Sequence, residues 1–348
     1  PPLSLYVHLP WCVRKCPYCD FNSYTAGPNL ERERYVDALL ADLAIESQRA
    51  QGRELVSVFL GGGTPSLFPP DDVARIIDGI RECFALAEDA EITMEANPGT
   101  VESGAPAGYR AAGINRLSIG AQSFSAESLV LLGRIHSPGD IERAVHEARD
   151  AGFDNLNLDI MHGLPAQDVA GAMRDLEQAI ALDPEHLSWY ELTLEPNTVF
   201  HARPPDRLPD DDTIREIEVA GDALLTSRGF ARYEVSAYSK PGRRCRHNLN
   251  YWQFGDYLGI GAGAHGKLST DDGIYRSVRP ANPLAYLMFA EAGDRQPEIT
   301  RIEDSDRLFE YLLNALRLES GFDEAEFEAR TGLETAILAE RSTGAVEK

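Results

Sequence analysis

Polar and apolar residues alternate over the first segment, Ser4-Leu5-Tyr6-Val7-His8-Leu9-Pro10, which predicts a strand over 4–10 ended by Pro10. Tyr35, Leu39, Leu40 and Leu43 then fall at helical spacing, so 31–50 reads as an amphipathic helix. Val56-Ser57-Val58-Phe59-Leu60 is a buried strand that runs into Gly61-Gly62-Gly63, and Asp71 or Asp72 is placed to cap a helix over 72–84. Further strands are expected at 91–95, 116–120, 156–160 and 187–192, with helices at 125–133, 138–151, 169–182 and 213–228. Six alternations of strand and helix imply an α/β fold with a parallel sheet and crossover helices. Six units are too few for a closed eight-fold barrel, and barrels of this kind carry their chemistry at the C-terminal ends of the strands. After about residue 230 the pattern changes. Tyr- and Gly-rich stretches at 233–239 and 249–266 suggest short strands and turns, and helical periodicity returns at 283–292, 305–318 and 324–331. This divides the chain into 1–232 and a smaller α+β unit, 233–348, with a Pro- and Asp-rich surface connection at 202–212 and a polar end at 341–348.

Composition narrows the picture. Among 348 residues 43% are hydrophobic, enough for a sizeable core, yet no apolar run reaches the length of a membrane span. The net charge of −23 disfavours a nucleic-acid partner, because phosphate binding needs clustered Lys and Arg. Five cysteines without a disulfide pattern suggest a reducing compartment, hence cytoplasm. The chain opens on Pro1-Pro2 without Met, so a short native N-terminal stretch is expected to be missing.

Three of the five cysteines, Cys12, Cys16 and Cys19, fall in a C-x-x-x-C-x-x-C loop just after the first strand. Three thiolates on one loop can grip a soft metal centre from one side, whereas a closed zinc site wants four ligands. Cys83 and Cys245 are single and remote, and Phe21 stands where a nearby fourth sulfur could have been. On an iron–sulfur cube, three ligands leave one iron open. Gly61-Gly62-Gly63-Thr64 reads either as a tight turn or as backbone that lets a ligand approach closely. Glu95 and Asp159 are carboxylates at or near strand ends and Gln122 follows a strand; each is also compatible with a structural role. Cys83 follows Ile76, Ile77 and Ile80 on a helical apolar pattern and reads as core, and structural is the safer reading of His265. His8 is placed for a supporting hydrogen bond next to the Cys loop.

The Cys loop with its preceding strand resembles the signature of the radical S-adenosylmethionine (SAM) enzymes. Tyr6-Val7-His8-Leu9-Pro10-Trp11-Cys12, Gly61-Gly62-Gly63-Thr64-Pro65-Ser66 and Glu95-Ala96-Asn97-Pro98-Gly99 resemble the oxygen-independent coproporphyrinogen oxidase branch. His247-Asn248-Leu249-Asn250-Tyr251-Trp252 resembles the HNxxYW motif of the haem-chaperone members of that branch. The resemblance implies an open, partial (β/α)6 TIM-like barrel with a smaller C-terminal α+β domain, whose last part is expected to be absent because members usually continue further. It implies a 4Fe-4S cluster on Cys12, Cys16 and Cys19. It implies SAM contacts from Tyr6, Tyr18, Gly62, Gly63, Thr64, Glu95, Gln122, Arg134 and Asp159. Gly62, Gly63 and Thr64 would meet its methionyl amino and carboxylate groups, Arg134 its carboxylate, and Glu95 its ribose hydroxyls. It implies haem as cargo, held by His247 near the barrel mouth, with Cys245 as a weaker ligand candidate. Recipient haemoproteins, among them membrane-associated respiratory proteins, are the implied partners; a homodimer and a peripheral place at the membrane are compatible. The oxidase has a further cysteine two residues beyond the third, where this chain has Phe21, so a chaperone is expected rather than an oxidase.

Overall fold

The structure, a computed structural model, describes residues 1–28, 30–100, 105–293 and 296–338; the polar end at 341–348 lies outside the described residues. Six parallel strands carry the fold: β1 (Leu3–Leu9), β2 (Leu55–Gly62), β3 (Leu86–Ala96), β4 (Arg116–Gln122), β5 (Leu156–His162) and β6 (His186–Glu191). Between them run α1 (Arg32–Ala50), α2 (Pro70–Cys83), α3 (Ala105–Ala112), α4 (Ala126–Leu131), α5 (Pro138–Asp150) and α6 (Val169–Ala181); α7 (Val199–Ala202) and α8 (Asp211–Ser227) follow β6. The later strands are β7 (Ala231–Glu234), β8 (Ala237–Ser239), β9 (Asp256–Ile260), β10 (His265–Thr270), β11 (Gly273–Val278) and β12 (Glu298–Arg301). They extend the same sheet, in the order β12-β11-β10-β9-β1-β2-β3-β4-β5-β6-β8-β7. The sheet stays open, with β12 and β7 as its edges. Strand β9 lies parallel to β1, from Leu3 opposite Asp256 to Val7 opposite Ile260, so the parallel run has seven strands rather than six.

The two faces of the sheet differ in chemistry. Leu5, Val7, Val58, Leu60, Ile92, Met94, Leu117, Ile119, Leu158 and Ile160 are buried in the main apolar core, with the helices packed over them. The alternate positions Tyr6, Phe59, Glu95, Arg116, Ser118, Asn157, Asp159 and Ser188 line internal cavities instead. A parallel sheet covered on both faces reads as nearly continuous apolar runs; here the period-two alternation leaves a polar lumen.

Two local expectations need correction. Neither Asp71 nor Asp72 caps α2: the cap position is Pro69, and Pro70 opens the helix. A proline at the first helical position has its φ preset for the helix and no N–H to satisfy, so the helix begins at Pro70 and both aspartates sit in its first turn, where the helix dipole favours them. The stretch 249–266 is not all strand and turn. The HNxxYW residues form a short helix, α9 (Arg246–Trp252), with His247 and Asn250 on its buried side. The remaining helices, α10 (Pro283–Glu291), α11 (Asp304–Ala315) and α12 (Glu324–Thr331), fall where periodicity puts them.

Candidate functional site

Strand β1 delivers the cysteine loop, and the loop is tied at both ends. Trp11–Cys12 pairs in parallel with Tyr24–Thr25. The His8 ring bonds the carbonyl of Asn22 through Nε2 at 2.8 Å, while Tyr6 Oη meets its Nδ1 at 3.0 Å. Asn22 Nδ2 donates to the carbonyls of Ala262 and Ala281, both at 2.9 Å, fixing the loop to the chain beyond β9. His8 is thus the supporting residue expected of it. Cys12, Cys16 and Cys19 all line one chamber of about 280 Å³ at the C-terminal ends of the strands. Burial pushes the Cys12 and Cys19 thiols up, against the pull of Thr64 and Ser23 respectively. Arg134 Nη1 donates to Cys16 Sγ at 3.6 Å, a cation beside a sulfur.

The same chamber gathers Tyr18, Gly62, Gly63, Thr64, Glu95, Gln122, Arg134 and Asp159. Gly62 has φ +113°, and a Cβ there would lie 2.4 Å from Cε1 of His8; a Cβ on Gly63 would meet the carbonyl oxygen of Trp11 at 2.7 Å. Only glycine allows this backbone path past the cysteine loop. The Gly62 amide donates to Glu95 Oε2 at 3.1 Å. Burial, then the charge of Asp159, push the Glu95 carboxyl up to about 8 despite that bond. Burial also pushes Asp159 up, against hydrogen bonds from Asn157 at 2.7 Å and Ser118 at 3.2 Å. Gln122 holds φ +69°, which is costly for a residue with a side chain, and accepts from Tyr190 Oη at 2.7 Å. Arg134 Nη2 donates to the Gly120 carbonyl at 2.8 Å, and its buried Nε has no partner.

This donor set fits an iron–sulfur cube. Among the described residues no three His, Cys, Asp or Glu side chains converge on one point as a single ion requires. A cube asks for less, since each thiolate takes its own iron. The unpartnered Arg134 Nε and the Gly62-Gly63 path leave donors and room beside the thiols for a second, polar ligand.

Two expected residues stand apart from this chamber. Tyr6 faces the lumen from the middle of β1 and walls the two adjoining chambers. His247 lies at the other end of the strands from the mouth. Its backbone N–H and that of Arg246 converge on Glu91, near the start of the barrel portion of β3. Nδ1 of His247 meets Ser57 Oγ at 3.1 Å, and Ser57 donates onward to Ser4 at 2.8 Å. The Ser57 proton is thereby directed to Ser4, so Nδ1–H of His247 is the donor and Nε2 keeps its lone pair. Burial, then the charge of Arg116, push His247 down to about 3, so the ring is neutral. It faces a lower chamber of about 300 Å³ that shares Glu95, Ser118 and Asp159 with the upper one. The expectation that His247 stands near the barrel mouth is therefore corrected: helix α9 puts it on the lumen floor. Cys245 is buried and donates to Glu91 at 3.4 Å, with its thiol pushed up to about 12 by burial. His265 walls a third chamber with Gly62 and Glu95. Cys83 packs half-buried against the core, as its helical spacing suggests.

Ser118, Tyr190 and Arg116 line these chambers without having been singled out by motif. The signal was available: each shares the inward parity of its strand with a residue that was chosen or with a polar neighbour.

The Radical SAM superfamily model matches residues 6–176. A protein of Escherichia coli (strain K12), "Heme chaperone HemW", is 52% identical over 96% of this chain and 87% of its own length. The Haemophilus influenzae protein of the same name is 47% identical over 100% of this chain and 91% of its own. Among solved structures, the E. coli coproporphyrinogen III oxidase HemN, a radical SAM enzyme, superposes with a TM-score of 0.81 at 26% identity, covering 97% of this chain and 80% of that one. The matched cysteine loop, the open barrel and identity of about half along nearly the whole length leave one conclusion, that this chain belongs to the HemW family of the radical SAM superfamily.

Proposed function

We propose that this protein is a haem chaperone: it binds haem in the lumen and passes it to recipient haemoproteins, with a 4Fe-4S cluster and SAM in the upper chamber. The observation that carries the reading is the 52% identity, over nearly the whole chain, to a protein named for that function. The floor histidine supports it. A neutral imidazole with Nδ1–H anchored on Ser57 and Nε2 free among the described residues is the arrangement that orients a ligating histidine toward a metal. Phe59 stacks on the His247 ring with centroids 5.0 Å apart, and Tyr251 lies at 5.2 Å, giving flat apolar walls for a macrocycle.

In the upper chamber Cys12, Cys16 and Cys19 would hold the cluster. Gly62, Gly63, Thr64 and Arg134 would take the amino and carboxylate groups of SAM, Glu95 a ribose hydroxyl, and Tyr18, Gln122 and Asp159 the remaining polar edge. Tyr6 would act from the chamber below, as the wall between the two ligands. When bound, the cluster supplies one-electron reduction and, with SAM, the radical chemistry of the superfamily. Haem recipients, membrane-associated or not, would be met from the cytoplasm; no helix among the described residues is long and apolar enough to cross a membrane.

Oxidative decarboxylation of coproporphyrinogen III is the competing reading, prompted by the HemN likeness. It is disfavoured because Phe21 occupies the position of the oxidase's further cysteine. Anaerobic reconstitution followed by haem titration, with coproporphyrinogen III turnover assayed on the same sample, tests both. Stoichiometric haem uptake without decarboxylated product is expected. Product that depends on SAM and a reductant would reassign the protein to the oxidase.

A further inference from the structure

Arg116 opens β4 on the inward face and is 2% exposed. Among the described residues no hydrogen bond or ion pair reaches its guanidinium, and its Nε is sealed from solvent without a partner. The nearest anions are already engaged. Glu91 accepts from the Cys245 thiol and from the amides of Arg246 and His247. Asp159 accepts from Asn157 and Ser118. Their fields favour the cation at a distance, but none meets its donors. A guanidinium cannot discard its proton, so the fold carries a planar cationic fork with no partner in the chain, its Nε sealed and the residue lining a cavity.

The fork lines the lower chamber together with His247, Asn248 and Trp252, whose indole N–H is likewise buried without a partner. Phe59 and Tyr251 supply aromatic wall. The chamber thus joins flat apolar surface to a concentrated, unmet set of donors. That pairing suits a ligand with a planar apolar body and a carboxylate at its edge.

We propose that Arg116 is the anchor for a ligand carboxylate on the lumen floor, its fork taking both oxygens. Two sources share this chemistry: a propionate arm of the tetrapyrrole cargo, which rests on the haem-chaperone reading above, or a small free carboxylate.

The test uses the full, cluster-reconstituted chain and metal-free protoporphyrin IX, which has two propionates and no iron, followed by fluorescence. Wild-type protein is expected to bind the diacid at least about tenfold more tightly than its dimethyl ester, the scale of one charge-assisted pair. Arg116→Gln is expected to lower diacid affinity to that of the ester and leave the ester unchanged. Competition by millimolar propionate would assign the site to small carboxylates as well as to the porphyrin arm. Equal binding of acid and ester by wild type overturns the proposal, and this comparison does not depend on any variant folding. Unchanged diacid affinity in folded Arg116→Gln overturns it too. If neither haem nor porphyrin binds, but propionate raises the melting temperature of wild type and not of Arg116→Gln, the haem reading fails and the anchor stands. If propionate also has no effect, both fail.

Discussion

Among the described residues Arg116 and Arg279 are the two most deeply buried arginines, and their surroundings are opposite. Arg279, 1% exposed, lies outside the barrel between α1 and the end of β11. It bonds Asp42 through Nε at 3.1 Å and through Nη2 at 2.7 Å, and Nη2 also meets Glu46; Tyr286 completes the cluster with a 3.0 Å bond to Asp42. Arg116, equally buried, has no such partner and faces a cavity. Each ion loses its hydration, but only Arg279 is compensated within the chain. A buried charge with its partners present is part of the scaffold. A buried charge facing a cavity without partners points to a partner that arrives from outside.

The largest expected effect breaks the scaffold side of that contrast. Arg279→Met leaves Asp42 buried without its cation and Glu46 with Arg49 alone, and should cost about 3–5 kcal/mol in denaturant unfolding. Arg116→Met strands no partner and should leave stability unchanged or raised by up to about 1 kcal/mol; a loss as large as that of Arg279→Met would mean that Arg116 is scaffold after all. On the lumen side, His247→Ala should abolish saturable haem uptake while the iron and sulfide content of the reconstituted cluster stays at the wild-type level. Retained uptake would remove His247 as ligand.

Glu95 offers a pH test of the same idea. Its folded carboxyl is raised to about 8, above the ordinary carboxylate value of the unfolded chain. Its contribution to stability is therefore fully present below about pH 4.5, declines as the pH rises through 8, and stays lost above. Glu95→Gln removes that decline. The variant should match wild type at about pH 4 and exceed it by about 4 kcal/mol at pH 9, yet bind SAM more weakly. Equal pH profiles for the two proteins would show that the buried carboxylate is not strained in the apo state. The smallest effect is expected from Ser57→Ala, which frees the His247 ring from its orienting bond and should weaken haem binding roughly tenfold.

Much of this was legible in the sequence because the barrel is built from local patterns. Each of the six inner strands announces itself within a few residues, and Gly62, Glu95, Gln122 and Asp159 converge because strand ends converge. The alternation Arg116-Leu117-Ser118-Ile119 even encoded the wet lumen, since a dry parallel sheet has no use for polar residues on its second face. What escaped was non-local or short. Asp256–Ile260 is a five-residue strand whose pairing with β1 spans most of the chain, and periodicity says nothing about such partners. The seven residues of α9 make too few turns for a helical period to emerge, so a motif quoted by its letters could not be placed on the floor rather than at the mouth.

The position of β9 also bears on how the protein is made. Strand β1 has β2 on one side and β9 on the other, and β9 begins only at Asp256. At about 5–20 residues per second, β1 waits roughly ten seconds to a minute with one edge unpaired. Helix α9, which forms the floor, emerges only just before β9. The nascent lumen is thus open below through most of synthesis and is sealed late, by one of the longest-range contacts in the molecule. Chaperones that shield exposed strand edges would act in that interval, and a ribosome stall between residues 200 and 250 would present β1 as a template for aggregation.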